Sequence, residues 1–313
     1  MLINVIWKKY KKGANKIKNE IEKSYNIHIE KIYKKDENIY FFVGNKKIYI
    51  EELNDKQLKE IKNLVMASNE LYENRKNTRL ILKCTNDEYY FKHKEKKYIL
   101  SYANFIENTG VIIDDINLLK VDNSRYESLK INILDNWKKS IDEIEAALVE
   151  YNKECNKLMK SINYYIGISE NAIQLYISKS EEIKKSSNYL GHYIKDYSIS
   201  KYLSPLNIRK INLGILFGKY VKNKLYNGTF TYKIINVIKS LLKNDADKYV
   251  LIASVMFQEE FFEEVKKMIV NGKEEINERI VEKYTNKIND LESILRCIED
   301  EIVHERIINW LEE

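Results

Sequence analysis

Two hydrophobic periods alternate along the chain, and the points where one gives way to the other mark its elements. From Ile3 to Ser24 the apolar residues Ile3, Ile6, Tyr10, Ala14, Ile17 and Ile21 recur every three to four positions. That spacing predicts an amphipathic helix with lysines on its other face. Segments 28–33 (HIEKIY), 38–44 (NIYFFVG) and 46–53 (KKIYIEEL) alternate instead and predict strands, with Gly44-Asn45 closing a hairpin between the last two. At Asn54 the helical period returns: Leu58, Ile61, Leu64, Val65 and Leu71 share a face behind an Asn or Asp cap. Strand-like runs follow at 78–84, 88–94 and 96–104. Helix, strands, helix, strands is the order of an α+β lobe built on an antiparallel sheet.

Residues 105–135 show neither period and predict a crossover. Beyond them helical spacing dominates. Segment 134–162 places Trp137, Ile141, Ile144, Ala147 and Leu148 together, and further helices are predicted over 169–184, 213–226, 232–243, 246–270 and 274–312. The last of these is a closing core helix or an amphipathic partner-binding helix. Segment 163–176, NYYIGISENAIQLY, reads as the entry to a buried helix, with Ser169 as N-cap and Glu170 and Asn171 in the first turn. Only 203–212, which holds the sole proline, reads as extended in this half. The expected architecture is α+β and protein-kinase-like in its two lobes. A small N-terminal antiparallel-sheet lobe (1–104) leads through a crossover (105–135) to a larger, mainly helical C-terminal lobe (136–313).

Composition alters this picture little. The 313 residues are 44% hydrophobic and 32% charged, enough for a folded core. Lysine, asparagine, isoleucine and 24 tyrosines dominate, a bias that A/T-rich codons share. A net charge of +6, from 53 basic and 47 acidic residues, describes a solvated surface with acids interleaved. A nucleic-acid or anionic-surface partner remains an alternative that the charge does not favour. Cys84, Cys155 and Cys297 are odd in number and far apart, so neither a zinc site nor a disulfide framework is expected. With no apolar run long enough to span a membrane and no leader-like N-terminus, a cytoplasmic protein without a membrane span is expected.

The chemistry expected of a two-lobed phosphotransferase is missing in several independent places. No two of the nine glycines are separated by one residue, so no Gly-rich phosphate loop exists. No VAIK-like lysine, His-Arg-Asp or His-Gly-Asp loop or Asp-Phe-Gly motif occurs; Lys83 lies on a predicted strand, but without that context. His28, His93, His192 and His304 have no ligand partners at zinc spacing, and Asp114-Asp115 reads as a solvated turn. No cofactor and no metal is expected.

NYYIGISENAIQLY also resembles a segment of the spore-coat-associated kinase-like proteins of endospore-forming bacteria (the CotS/YutH type), in the aminoglycoside-phosphotransferase-like superfamily. Segments 21–53, 136–148 and 247–275 resemble that family in the same order. In LSPLNIRKINLGILFGKYVKN (203–223) the family register holds at Pro205, Asn207, Tyr220, Val221 and Lys222. The metal-binding aspartate position falls on Ile211, or on Asn212 after a one-residue shift; an Arg-Asp pair becomes Ile215-Leu216, and a glutamate becomes Lys219. His192 stands where the catalytic-loop histidine would lie, with Asp196 four residues on rather than two. The resemblance implies a kinase-like fold with a degenerate cleft at His192, Asp196, Asn207 and Ile211. It implies a pseudokinase with a structural or interaction role in endospore formation, located in the mother cell or spore coat, with protein partners. One alternative is a divergent small-molecule phosphotransferase using Asn207, Asp196 or Glu170. The other is a basic nucleic-acid or anionic-surface binder.

Overall fold

A computed structural model describes residues 16–35, 38–102, 118–122, 124–150, 156–186, 188–193, 203–271 and 282–309. They divide between two compact units, one drawn from Met1–Lys130 and Leu190–Lys210, the other from Ile131–Tyr189 and Ile211–Glu313.

The first unit is built on an antiparallel sheet. Its strands are β1 (Ile32–Lys35), β2 (Asn38–Val43), β3 (Lys46–Leu53), β4 (Leu80–Ile81), β5 (Phe91–His93) and β6 (Lys96–Tyr102). They run in the order β1-β2-β3-β6-β4, with β5 also paired to β6. Alternation along β3 explains its register. Ile48 and Ile50 face Phe41 and Ile39 of β2, while Lys47 and Tyr49 face Phe42 and Tyr40, so the two sets lie on opposite faces, Ile48 and Ile50 in one cluster and Tyr49, itself buried, on the side of Leu53 in the other. On the first face, helix α1 (residues 16–25) contributes Ile21 to a cluster with Phe41, Ile48, Ile50, Phe91 and Leu100. A second cluster forms around helix α2 (Asp55–Glu73), where Ile61, Leu64, Val65 and Leu71 pack with Leu53, Ile81 and Ile99. Asn54 starts α2 with a capping box: its side chain accepts from Gln57 N at 2.8 Å, and the Gln57 side chain accepts from Asn54 N at 3.0 Å. A smaller sheet joins β7 (Leu119–Val121), β8 (Asn188–His192) and β9 (Ile208–Asn212), in that order.

The second unit is helical: α3 (Ile133–Glu150), α4 (Asn156–Ser178), α5 (Ser180–Ile183), α6 (Leu213–Tyr226), α7 (Lys233–Leu241), α8 (Asp245–Met256), α9 (Glu259–Asn271), α10 (residues 282–285) and α11 (Ile288–Ile298). Trp137 of α3 stacks on Phe257, with ring centroids 4.6 Å apart and planes 8° off parallel. Tyr165 of α4 donates to the carbonyl of Tyr284 at 2.8 Å and packs against Phe261. Among the described residues no helix is long and apolar enough to cross a membrane.

Several sequence expectations are corrected. The first strand runs from Ile32 rather than residue 28, and the run 78–84 keeps only Leu80–Ile81 as strand. Segment 188–192, read without a strand, is β8. Ser169 is not an N-cap: α4 begins at Asn156, and Ser169 sits buried in its interior, accepting from Gln258 N at 3.1 Å. The single helix predicted over 246–270 breaks at Phe257–Gln258 into α8 and α9. There the Gln258 amide stays buried by donating to the carbonyls of Val255 and Met256. The closing helix ends in a π turn at Val303, after which His304 adopts a left-handed φ of 61°. His93, on β5, is buried and bonds Glu20 across 2.9 Å.

Candidate functional site

Residues of β3, β4, β6 and β8 gather a polar cluster inside the first unit. Thr78 and Arg79 lead into β4, and Arg79 is only 1% exposed. Its guanidinium carbon lies 3.4 Å from the centre of the Tyr49 ring, close enough for a cation–π stack. Its Nη1 is 3.9 Å from the Glu51 carboxylate, which also accepts from Ser101 Oγ at 2.6 Å. Tyr49, Glu51 and Ser101 share a sheet face because Tyr49 and Ser101 are cross-strand partners and Glu51 is two residues beyond Tyr49.

His192, at the end of β8, joins this cluster through Thr78, whose Oγ1 lies 3.2 Å from Nε2. Burial, and then the Arg79 charge, push the imidazole down from 6.5 to about 3. It is therefore neutral at physiological pH: able to exchange hydrogen bonds, but not to offer a cation to a phosphate.

The proline segment docks on the same unit. Arg79 N donates to Leu203 O at 3.2 Å, and Gln57 Nε2 donates to Leu206 O at 3.4 Å. Ser204 caps the short 3-10 turn Pro205–Asn207 by accepting from Leu206 N. The carbonyl of Asn207 accepts from Tyr193 N at 2.8 Å, so the backbones just after His192 and at Asn207 are tied together. Of the residues singled out from the sequence, His192 and Asn207 thus lie on adjoining stretches, whereas Asp196 falls outside the described residues. Glu170 is exposed on α4, in the other unit.

Ile211 is buried near the end of β9, with 4% of its surface exposed. Its neighbour Asn212 ends the strand and caps α6: Oδ1 accepts from Gly214 N at 2.6 Å, while Nδ2 donates to Asp247 Oδ1 at 2.5 Å. Along α6, Ile215 is buried in the core. Lys219, at the glutamate position of the resemblance, pairs with Glu259 of α9 at 2.9 Å. Lys222 donates to the carbonyl of Phe257 and lies 3.1 Å from Glu260. Both ammonium groups are buried, and burial lowers the pKa of Lys222. Among the described residues no group of three or more His, Cys, Asp or Glu side chains is placed to hold a metal ion.

Sequence reasoning missed the Arg79 cluster. The signal was available in β3, where Lys47, Tyr49 and Glu51 alternate with Ile48 and Ile50. Their partners Arg79 and Ser101 could not be read from local spacing.

The fold has a solved counterpart. An aminoglycoside phosphotransferase from Alicyclobacillus acidocaldarius aligns with 92% of this chain and 96% of its own, at 8% identity and a TM-score of 0.63. Spectinomycin phosphotransferase APH(9)-Ia, in complex with ADP and spectinomycin, aligns over 91% and 98% of the two chains at 12% identity and a TM-score of 0.47. Choline kinase LicA from Streptococcus pneumoniae does so over 88% and 98%, at 12% identity and a TM-score of 0.39. The first of these likenesses carries the assignment: the chain has a kinase-like α+β fold, with an antiparallel-sheet portion and a mostly helical remainder. No family model matches the chain, and no curated protein matches it.

Proposed function

We propose that this protein is a kinase-like chain that has lost phosphotransfer and serves as a structural or interaction component of endospore formation. The inactivity reading is carried by one observation: the position at which the resemblance places a metal-binding aspartate is Ile211, an apolar side chain buried near the end of β9. An isoleucine offers no oxygen to Mg²⁺. The one-residue shift puts Asn212 there, an amide whose Oδ1 accepts from Gly214 N and whose Nδ2 donates to Asp247 in this arrangement. Lys219 supports the same reading, since its ion pair with Glu259 sets a buried basic group where the resemblance carries an acid. The endospore role rests on the resemblance of segments 21–53, 136–148, 163–176 and 247–275.

Titration calorimetry of the full chain with ATP and Mg²⁺ tests the inactivity. No saturable heat is expected, and a micromolar Kd accompanied by ADP release would overturn the reading.

A second reading, a divergent small-molecule phosphotransferase, draws on Asn212 and Asp247. An amide and a carboxylate 2.5 Å apart are the donor types that a catalytic Mg²⁺ requires. On that reading ADP would be released only with an acceptor alcohol or amino sugar present, and Asp247→Asn would abolish the release.

A further inference from the structure

The β1–β3 hairpins carry an aromatic surface that belongs to neither hydrophobic cluster of the first unit. Tyr33, Tyr40 and Tyr49 are successive cross-strand partners, and Phe42 stands opposite Lys47, so all five side chains lie on one face. Tyr33 and Tyr40 are stacked, with centroids 5.5 Å apart and planes 14° off parallel. Phe42 meets both of them edge-on at 5.8 Å. Tyr49 continues the row at 6.2 Å from Tyr40 and is roofed by Arg79. The outer rings are open to solvent, Tyr33 at 38% and Phe42 at 47%.

Cations line the same rings. The Lys31 ammonium lies 5.1 Å from the centre of Tyr33, and that of Lys47 lies 4.3 Å and 4.6 Å from Tyr40 and Tyr49. Lys35 is exposed two residues beyond Tyr33, which puts it on the same face. Among the described strand positions of that face the one carboxylate is Glu51, already held by Ser101 and Arg79. Open π faces beside ammonium groups match a ligand with flat rings on an anionic backbone. An acidic peptide would engage the lysines and leave the two most exposed rings bare, and a duplex hides its base faces within its own stack.

We propose that Tyr33, Tyr40 and Phe42, flanked by Lys31, Lys35 and Lys47, form a stacking platform for single-stranded nucleic acid. The proposal goes beyond the function argued above and holds whether or not the chain binds ATP.

Fluorescence anisotropy of the full chain with labelled oligo(dT) and oligo(rU) of about twelve nucleotides tests it, with a duplex of the same length alongside. Either single strand should bind at least about tenfold more tightly than the duplex, and the tighter of the two identifies the polymer. Phe42→Ala and Tyr33→Ala should each weaken binding about tenfold, while Tyr33→Phe, which keeps the ring, should bind like the parent. Three phosphate contacts give a log–log salt slope of about −2, and Lys47→Ala should reduce it by about 0.7. The platform is overturned if neither single strand binds at low salt, or if the duplex or a mononucleotide binds as tightly. It is equally overturned if the alanine variants, folded by their melting curves, bind like the parent, or if only anionic lipid vesicles are bound.

Discussion

Gly214 and Gly167 both lie within helices, and the same substitution should have opposite consequences at the two. A Cβ built on Gly214 of α6 would sit 2.4 Å from the Asp247 carbonyl oxygen, 2.6 Å from Leu251 N and 2.9 Å from the Val250 carbonyl carbon. All three are backbone atoms of α8, so no side-chain rotation relieves the clash. Restoring a contact near 3.4 Å means moving one helix by about 1 Å, which also strains the Asn212–Asp247 bond. Overpacking of this kind costs about 1–3 kcal/mol, and the rigid obstacle argues for the upper end. Replacing a helical glycine returns about 1 kcal/mol of propensity, so Gly214→Ala should destabilise the protein by about 2 kcal/mol. At Gly167, in the middle of α4, a Cβ meets nothing within 4 Å, and Gly167→Ala should stabilise by about 0.5–1 kcal/mol. At about 3 °C per kcal/mol for a unit of this size, the two melting temperatures should differ by about 8 °C. Circular dichroism at the helical minimum during heating and urea titration reads both. A Gly214→Ala protein as stable as the parent, or a Gly167→Ala protein less stable than it, would refute the packing argument.

His192 gives the protein a pH dependence of definite sign. Its folded pKa of about 3 lies below the ordinary 6.5, so between those values the unfolded chain binds the extra proton. Its stabilising contribution is complete above pH 6.5 and falls as the pH drops towards 3, by about 2 kcal/mol at pH 5. Urea unfolding at pH 7 and pH 5 should show that loss in the parent but a smaller one in His192→Gln; equal losses would remove His192 as the cause. Arg79→Met should cost about 3 kcal/mol, because it strips a buried cation from Glu51 and from the Tyr49 ring. A melting temperature unchanged by that substitution would mean that the cluster contributes nothing to stability.

How far the sequence revealed the fold depended on whether the determining contacts were local. The strand β3 (Lys46–Leu53) and the helices α2 and α6 lie where alternation, an Asn or Asp cap and helical spacing place them, because each signal sits within a few residues of the boundary it sets. Segment 163–176 misled for the converse reason. Gly167 and Ser169 are residue types that open helices, yet α4 runs straight through them, and Ser169 finds its use in accepting from Gln258 N, 89 residues away. The break between α8 and α9 is likewise held by Gln258, whose buried bonds no periodicity reports. The site divided along the same line. Ile211 and Lys219 were singled out through the resemblance, whereas Thr78 meets His192 across 114 residues, a contact between two separate sheets that no local spacing reports.

The residues along β9 and α6 that differ from the resemblance support one another in their packing. A lone Glu-to-Lys exchange at position 219 would bury an ammonium without compensation and cost several kcal/mol. Here α9 supplies Glu259 to Lys219 and Glu260 to Lys222, and the helix break at Phe257 leaves a carbonyl to which the Lys222 ammonium donates. The segment FQEEFFEEV (257–265) is therefore the counterpart of the lysines on α6. Gly214 and Gly218 extend the same adjustment, since a Cβ on either would run into α8. With backbone approach, cap and charge all matched to an apolar Ile211, an aspartate restored at that single position would face a buried, apolar strand end. Consistency across so many local choices is what a sequence under continued demand for this packing would have.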